Sequence, residues 1–301
     1  MNTKLSTKEV ATLLNVTETT VKRWAELGKL RCTKTLGGHR KFDLKDILIF
    51  AEENSFPITG VLPPPLSSKQ MKNLEYGVYT KDYHLIADIF KMEALQGDKA
   101  GLEKLLIYLY KNHVPFHIII DEILHPALAR IGELWLEKSI EINQEHLSST
   151  AVKEALIRLG AALYHKQPNG LNALCACIEK ELHDIGIIAI SYALEVEGFQ
   201  VTNLGIDTPF KSIETFIKNN KPDLVCLSAT SPEIEKKKFT KAVRDIANLI
   251  HSYNGKIVCG GIFFNQFSIK ELSVDFISYS TTDTLEFVKD VFELKPGKKI
   301  K

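Results

Sequence analysis

The segment Glu181-Leu182-His183-Asp184-Ile185-Gly186 sets an imidazole among carboxylates, with Glu179 two residues further upstream. A carboxylate that engages one ring nitrogen fixes the tautomer and leaves the other nitrogen as a donor for a metal ion. Gly186 leaves room for a bulky group to approach. This is coordination chemistry; no catalytic turnover is expected, and no residue is assigned a catalytic role. A second set of residues is basic. Residues 1–50 hold ten Lys or Arg and five Asp or Glu, a net of +5, although the whole 301-residue chain is only +1. A basic head on a slightly acidic body suits a nucleic-acid module joined to something else.

These side chains need elements to position them. Ser6 followed by Glu9 reads as a capping box, and Val10, Ala11, Leu13 and Leu14 follow at helical spacing. Thr17 predicts the cap of a second helix through Thr20, Val21, Trp24 and Leu27, stopped by Gly28. Two extended arms around Gly37-Gly38 predict a hairpin carrying His39, Arg40 and Lys41, and a third helix follows over Leu44–Phe50. The result is a helix-turn-helix with a wing over residues 1–53. Thr19, Thr20, Lys22 and Arg23 are the candidates to meet bases or phosphates, and His39, Arg40 and Lys41 are the candidates in the wing. Val10, Leu13, Val21, Trp24 and Leu27 are expected in its core.

Residues 54–74 contain three consecutive prolines and read as a linker. Over 75–166, apolar residues recur every three or four positions in four stretches, which predicts a four-helix bundle. Over 170–295 the pattern becomes strand–helix alternation, which predicts a flavodoxin-like parallel sheet of five strands. The fold class is therefore multidomain, α and α/β, with a basic tail at 296–301. Ligands of such sheets lie beyond the carboxyl ends of the strands. That places the His183 loop, Asp207-Thr208, Ser228-Ala229-Thr230 and Gly260-Gly261 at one edge, after the first four strands in turn.

Of the five cysteines, Cys175, Cys177, Cys226 and Cys259 fall in apolar strand-like runs, and Cys32 stands apart. They are expected to be free thiols in a reducing, cytoplasmic setting. Met1–Lys8 is too polar for a signal peptide, and no apolar stretch of about eighteen residues is present to span a membrane.

The basic head closely resembles the MerR family. The matching pieces are Ser6, Glu9-Val10-Ala11, Asn15-Val16, Thr20 to Trp24, Leu27-Gly28, Arg31 and Gly37-Gly38-His39-Arg40. The resemblance implies a transcriptional repressor on double-stranded operator DNA. That family dimerises through a long helix after this unit. Here the Pro-rich segment takes its place, so self-association is expected in the C-terminal domains.

The Glu181–Gly186 segment, with Gly205–Pro209, Ser228, Thr230 and Gly260-Gly261, resembles a cobalamin-binding motif in which a histidine displaces the vitamin's own base from cobalt. Its usual leading Asp is Glu181 here. Trp135 is followed, after nine intervening residues, by Glu145-His146. This spacing resembles the cobalamin photoreceptor regulators of the CarH/LitR type. The resemblance runs from Ser6 to about Leu294.

It implies adenosylcobalamin as cofactor and His183 as lower axial ligand of cobalt. Trp135 and Glu145 would lie against the adenosyl group, and His146 would bind cobalt after photolysis. Asp184, Gly186, Asp207, Thr208, Ser228, Thr230, Gly260 and Gly261 would surround the rest of the cofactor. It also implies a dark tetramer that separates in light. Other readings stay open: a cobalamin-level sensor blind to light, a cofactor-free regulator, or a corrinoid methyl-transfer protein. The plainer reading of the bundle residues is that Trp135 anchors the bundle core and His146 is a partly buried histidine.

Overall fold

Capping chemistry sets the first unit. In the computed structural model, which describes residues 4–35, 37–54, 56 and 63–294, β1 (Lys4–Ser6) leads into α1 (Thr7–Leu13). Ser6 Oγ accepts the Glu9 N–H while the Glu9 carboxylate accepts the Ser6 N–H. A tight turn leads to α2 (Glu18–Glu26), then β2 (Thr33–Lys34), β3 (Arg40–Asp43) and α3 (Leu44–Glu53). β3 pairs antiparallel with both β1 and β2, so the wing hairpin is tied to the front of α1. Trp24 fills the core, with ring centroids 4.8 Å from Phe50 and 5.0 Å from Phe56. Leu27 does not: it is 63% exposed. The helix ends at Glu26, and Gly28 at φ +70° turns the chain, so Leu30 takes the core position instead.

The central region is helical: α4 (Ser68–Thr80), α5 (Tyr83–Leu95), α6 (Lys99–Lys111), α7 (Phe116–Ile118), a π-helical segment Ile119–Leu124, α8 (His125–Leu136) and α9 (Ile142–Gly160). α4 starts inside the stretch read as linker. Ser67 and Gln70 form a capping box there, Leu74 is buried against the bundle, and Gln70 Nε2 donates to the Glu93 carboxylate of α5 at 2.8 Å. α8 continues through Gly132 to Leu136, and Lys138 at φ +59° makes the turn. The basic tail expected at 296–301, and residues 57–62 of the Pro-rich stretch, lie outside the described residues.

The third unit alternates as its apolar runs require: β4 (Asn172–Cys177), α10 (Ile185–Val196), β5 (Gln200–Asn203), α11 (Phe210–Asn220), β6 (Leu224–Ser228), α12 (Lys236–His251) and β7 (Lys256–Gly260). A 3-10 turn (Ile262–Gln266), α13 (Ile269–Leu272), β8 (Phe276–Ser278) and α14 (Thr281–Val291) complete it. Among the described residues the sheet has five parallel strands in the order β5-β4-β6-β7-β8. This is the flavodoxin-like order, whose ligand crevice lies where the connections leave β4 and β6 in opposite directions. Cys175, Cys177 and Cys226 face the layer of α10 and α14; Cys259 faces the α11–α12 layer, and all five cysteines are free. No helix among the described residues is long and apolar enough to cross a membrane.

The bundle is packed directly on the sheet unit. Ala189, Ala193 and Leu285, from α10 and α14, belong to the bundle's own core. Gly160 lets the helices close up, since a Cβ there would stand 2.3 Å from the Tyr192 ring. Asp121, in the π-helical segment, accepts the N–H groups of Thr281 and Thr282 at 2.8 Å each and the Thr282 hydroxyl at 2.6 Å. A bundle carboxylate thus satisfies the unpaired donors that open α14.

Candidate functional site

The loop from β4 to α10 leaves the sheet at the switch point. Glu181 is fully buried beneath it. One of its oxygens accepts the His183 N–H at 2.7 Å and meets His183 Nδ1 at 2.6 Å. The other accepts the backbone N–H of Thr230 and, at 2.8 Å, of Ser231, both just past β6. Burial pushes the Glu181 carboxyl up, but these hydrogen bonds outweigh it and hold it below the usual range for glutamate. The ionised carboxylate only accepts, so Nδ1 is the protonated nitrogen. The lone pair of Nε2 then points away from Glu181, and among the described residues nothing is bonded to it. The side chain is 63% exposed.

Neighbouring loops brace this one. Asp207 Oδ1 accepts the Lys180 N–H at 2.7 Å, and the Asp207 N–H donates to the Glu181 carbonyl at 2.9 Å. Thr208 is buried, bridges in parallel to Ile178, and turns its hydroxyl back to the Leu204 and Gly205 carbonyls. Asp207 and Thr208 therefore shape the His183 loop. Gly261, at φ +95°, lies so close to Ala229 that a Cβ would stand 2.3 Å from its carbonyl oxygen. Beside Gly186 and Gly205 there is open space. Ser228 is buried at the end of β6, and its carbonyl accepts the Ile178 N–H.

The bundle lies against this loop through α9. Lys153 of α9 pairs with Asp184 at 2.5 Å, and further along the same helix Gly160 meets Tyr192 of α10. The two helices thus run side by side in one direction. The part of α9 from Ile142 to Lys153 overhangs the start of α10 by roughly 16 Å at 1.5 Å per residue. Glu145 and His146 lie on this overhang, with His146 Nε2 3.7 Å from Glu145 Oε2. Trp135, near the end of α8, is 43% exposed, and the His146 side chain is 71% exposed. Neither is a core residue. Sequence reasoning missed Lys153 and Ser231. The signal for Ser231 was its place directly after Thr230; Lys153 lies at helical spacing from His146, two turns along α9.

In the first unit, Thr19, Lys22 and Arg23 face outward from α2, while Thr20 is spent on the cap: its N–H donates to the Thr17 hydroxyl at 3.2 Å, and the two hydroxyls lie 2.9 Å apart. Arg40 of the wing reaches back to Glu26 of α2 at 2.8 Å. His39 is exposed and Lys41 half-buried. Between wing and helices lies a groove of about 500 Å³ whose lining includes Thr7, Lys8, Lys22, His39, Arg40 and Lys41.

Comparison with known proteins agrees unit by unit. Residues 5–55 match a helix-turn-helix domain, residues 87–159 a B12 binding domain, and residues 171–268 a second B12 binding domain model. The HTH-type transcriptional repressor CarH of Myxococcus xanthus is 32% identical over 113 residues, 37% of this chain and 36% of that protein. The repressor CarA of the same organism is 29% identical over 145 residues, 47% of this chain and 46% of that protein. The chain is similar in part to these two repressors and matches a helix-turn-helix model and two B12 binding domain models.

The chain spans less than half the length of either repressor. The monomethylamine corrinoid protein of Methanosarcina barkeri is similar in fold, with a TM-score of 0.54 at 20% identity over 67% of this chain and 96% of that one. The residues present fit a cobalt corrinoid. His183 offers an exposed imidazole nitrogen backed by a buried carboxylate, a suitable donor for cobalt. Leu182, Ile206 and Ile262 on the sheet loops are exposed large apolar side chains, as are Trp135, Leu136 and Ile142 on the bundle. Such surface suits contact with an apolar group.

Proposed function

We propose that this chain is a DNA-binding transcriptional repressor whose state is set by adenosylcobalamin and, through it, by light. The observation that carries the reading is His183 Nε2, left as a free donor by the buried Glu181 beneath a helical overhang, on the same chain as a basic helix-turn-helix with a wing. When bound, the cofactor supplies a cobalt–carbon bond that light can cleave.

His183 would hold the cobalt from the sheet side. Trp135 and Glu145 would lie against the upper ligand, and His146 would be the nitrogen donor on that side once the ligand has left. Gly186, Ser228, Thr230, Gly260 and Gly261 would border the remainder of the molecule, with Asp184, Asp207 and Thr208 shaping the loops around it. A ligand that contacts the overhang in one state and not in another shifts any assembly built on the bundle surface by its differential affinity alone. The proposed assembly is a dark tetramer that separates in light. On the DNA side, Thr19, Lys22 and Arg23 would face the major groove, and His39, Arg40 and Lys41 would meet phosphates.

The test uses the full chain loaded with adenosylcobalamin in darkness and duplexes selected by it from a random library. Binding and assembly are measured by gel shift and size-exclusion chromatography before and after illumination. Tight binding in the dark, lost on illumination together with the larger assembly, is the expected result. Equal DNA binding by dark, illuminated and cofactor-free protein would overturn the proposal. A dependence on the cofactor with none on light would leave a cobalamin-level sensor.

A further inference from the structure

We propose that Lys153 is a positioning residue for His183, so that bundle helix α9 sets, through Asp184, the loop that presents the imidazole. The proposal rests on the reading of His183 as the lower ligand. Lys153 Nζ lies 2.5 Å from Asp184 Oδ2, and only 15% of the Asp184 side chain is exposed. Asp184 directly follows His183 and immediately precedes α10. Its side chain makes no capping bond to that helix, so its carboxylate is committed to the bundle.

Otherwise the loop hangs from the sheet unit alone. Glu181 holds the His183 backbone and ring on one side, and Asp207 holds Lys180. The His183 carbonyl receives only a long contact from Cys177 Sγ at 3.5 Å. Removing the Lys153 ammonium would leave the exit of the loop held to the bundle only by apolar packing of Ile185 and Ile188, with no polar bond to Asp184. The reach of Lys153 is itself fixed, because the Gly160–Tyr192 contact two turns further on sets the spacing of α9 and α10.

Lys153 also stands on the helix that carries Glu145 and His146, which lie roughly 10 Å toward its start. A helix moves as a stiff unit, so a displacement of the overhang is carried to Lys153 and from there to the loop. This ion pair thereby adds a polar link to the His183 loop beside the apolar packing that joins the bundle to α10. A half-exposed pair is worth little to global stability. Its effect is therefore expected in local opening of the loop.

The experiment compares Lys153→Met, Lys153→Arg and Asp184→Asn with the parent. Hydrogen exchange of the cofactor-free protein is read over residues 178–187. Exchange should quicken by about threefold in Lys153→Met and in Asp184→Asn, the scale of a half-exposed ion pair. It should be restored in Lys153→Arg, with the unfolding midpoint nearly constant throughout. Titration with adenosylcobalamin should show a smaller histidine-ligated share of bound cofactor in the Met and Asn variants. Unchanged exchange in Lys153→Met, or Lys153→Arg behaving like Met, would overturn the proposal. The underlying reading fails separately: His183→Ala would then give the parent's bound-cofactor spectrum, whatever the exchange data show.

Discussion

Replacing Glu181 with Gln changes one atom of a buried group whose partners are all donors. Its oxygens receive the N–H groups of His183, Thr230 and Ser231 and the His183 ring. A glutamine has one carbonyl and can serve only one side. With the carbonyl turned to Thr230 and Ser231, its NH2 faces the His183 N–H and Nδ1. The ring can answer by moving its proton to Nε2 and accepting at Nδ1, but the backbone N–H of His183 stays unmatched. One charge-assisted bond is lost and the others become neutral, a cost of about 2–4 kcal/mol. The chemical consequence is larger than the stability change, because Nε2 then carries a proton and no longer offers a lone pair to a metal. Nitrogen NMR of the cofactor-free protein should show Nδ1–H in the parent and Nε2–H in Glu181→Gln. Bound adenosylcobalamin should lose its histidine-ligated spectrum. If the variant kept the parent tautomer and an unfolding free energy within about 0.5 kcal/mol, the argument from the buried carboxylate would be wrong.

Asp121→Ala removes three hydrogen bonds from the first turn of α14; urea unfolding should show a loss of about 2–3 kcal/mol, and a change near zero would mean that water replaces the carboxylate at no cost. Gly160→Ala drives a methyl group against the Tyr192 ring; the expected destabilisation is about 1–3 kcal/mol, relieved when Tyr192 is shortened to Leu in the same protein, and failure of that second change to help would refute the contact. Burial pushes the Asp275 carboxyl up, but hydrogen bonds from His251, the Ile257 N–H and Lys256 bring it below its ordinary 3.8. Its contribution is therefore complete above that value and is lost as pH falls through the lowered one. Asp275→Asn should flatten this part of an acid-unfolding curve, and an unaltered acid limb would show that the group carries no such linkage.

The sheet and the His183 motif were legible because both are local. Apolar runs such as Leu171–Ile178 end in loops, and the loop residues name the chemistry. α4 was hidden by its neighbour: three prolines dominated the segment, although Ser67 and Gln70 already had capping-box spacing. Gly28 was legible as the stop of α2, but Leu27 falls on the cap beyond the last helical residue, where the helical period no longer tells which way a side chain points. Thr20 reads as a candidate for base contact, and its bonding to the Thr17 cap is visible only in the structure. Asp207 and Thr208 sit in a ligand-edge loop by sequence; in the structure Asp207 accepts from the His183 loop, and Thr208 turns its hydroxyl onto its own loop. The ion pair of Lys153 with Asp184 spans 31 positions and joins two units, so no window of sequence contains it.

The carboxylate that opens α14 has a consequence for how the chain matures. Asp121 lies 160 positions before Thr281, and α14 leaves the ribosome after every other described element. Domains generally fold as units during synthesis, N-terminal first. The winged unit can therefore be complete while the helix on which Asp121 closes has yet to be translated. For that interval a nascent chain carries a finished head and an unfinished sheet unit. A message cut short before α14 would leave that condition permanent, with the Asp121 carboxylate lacking the helix donors it accepts.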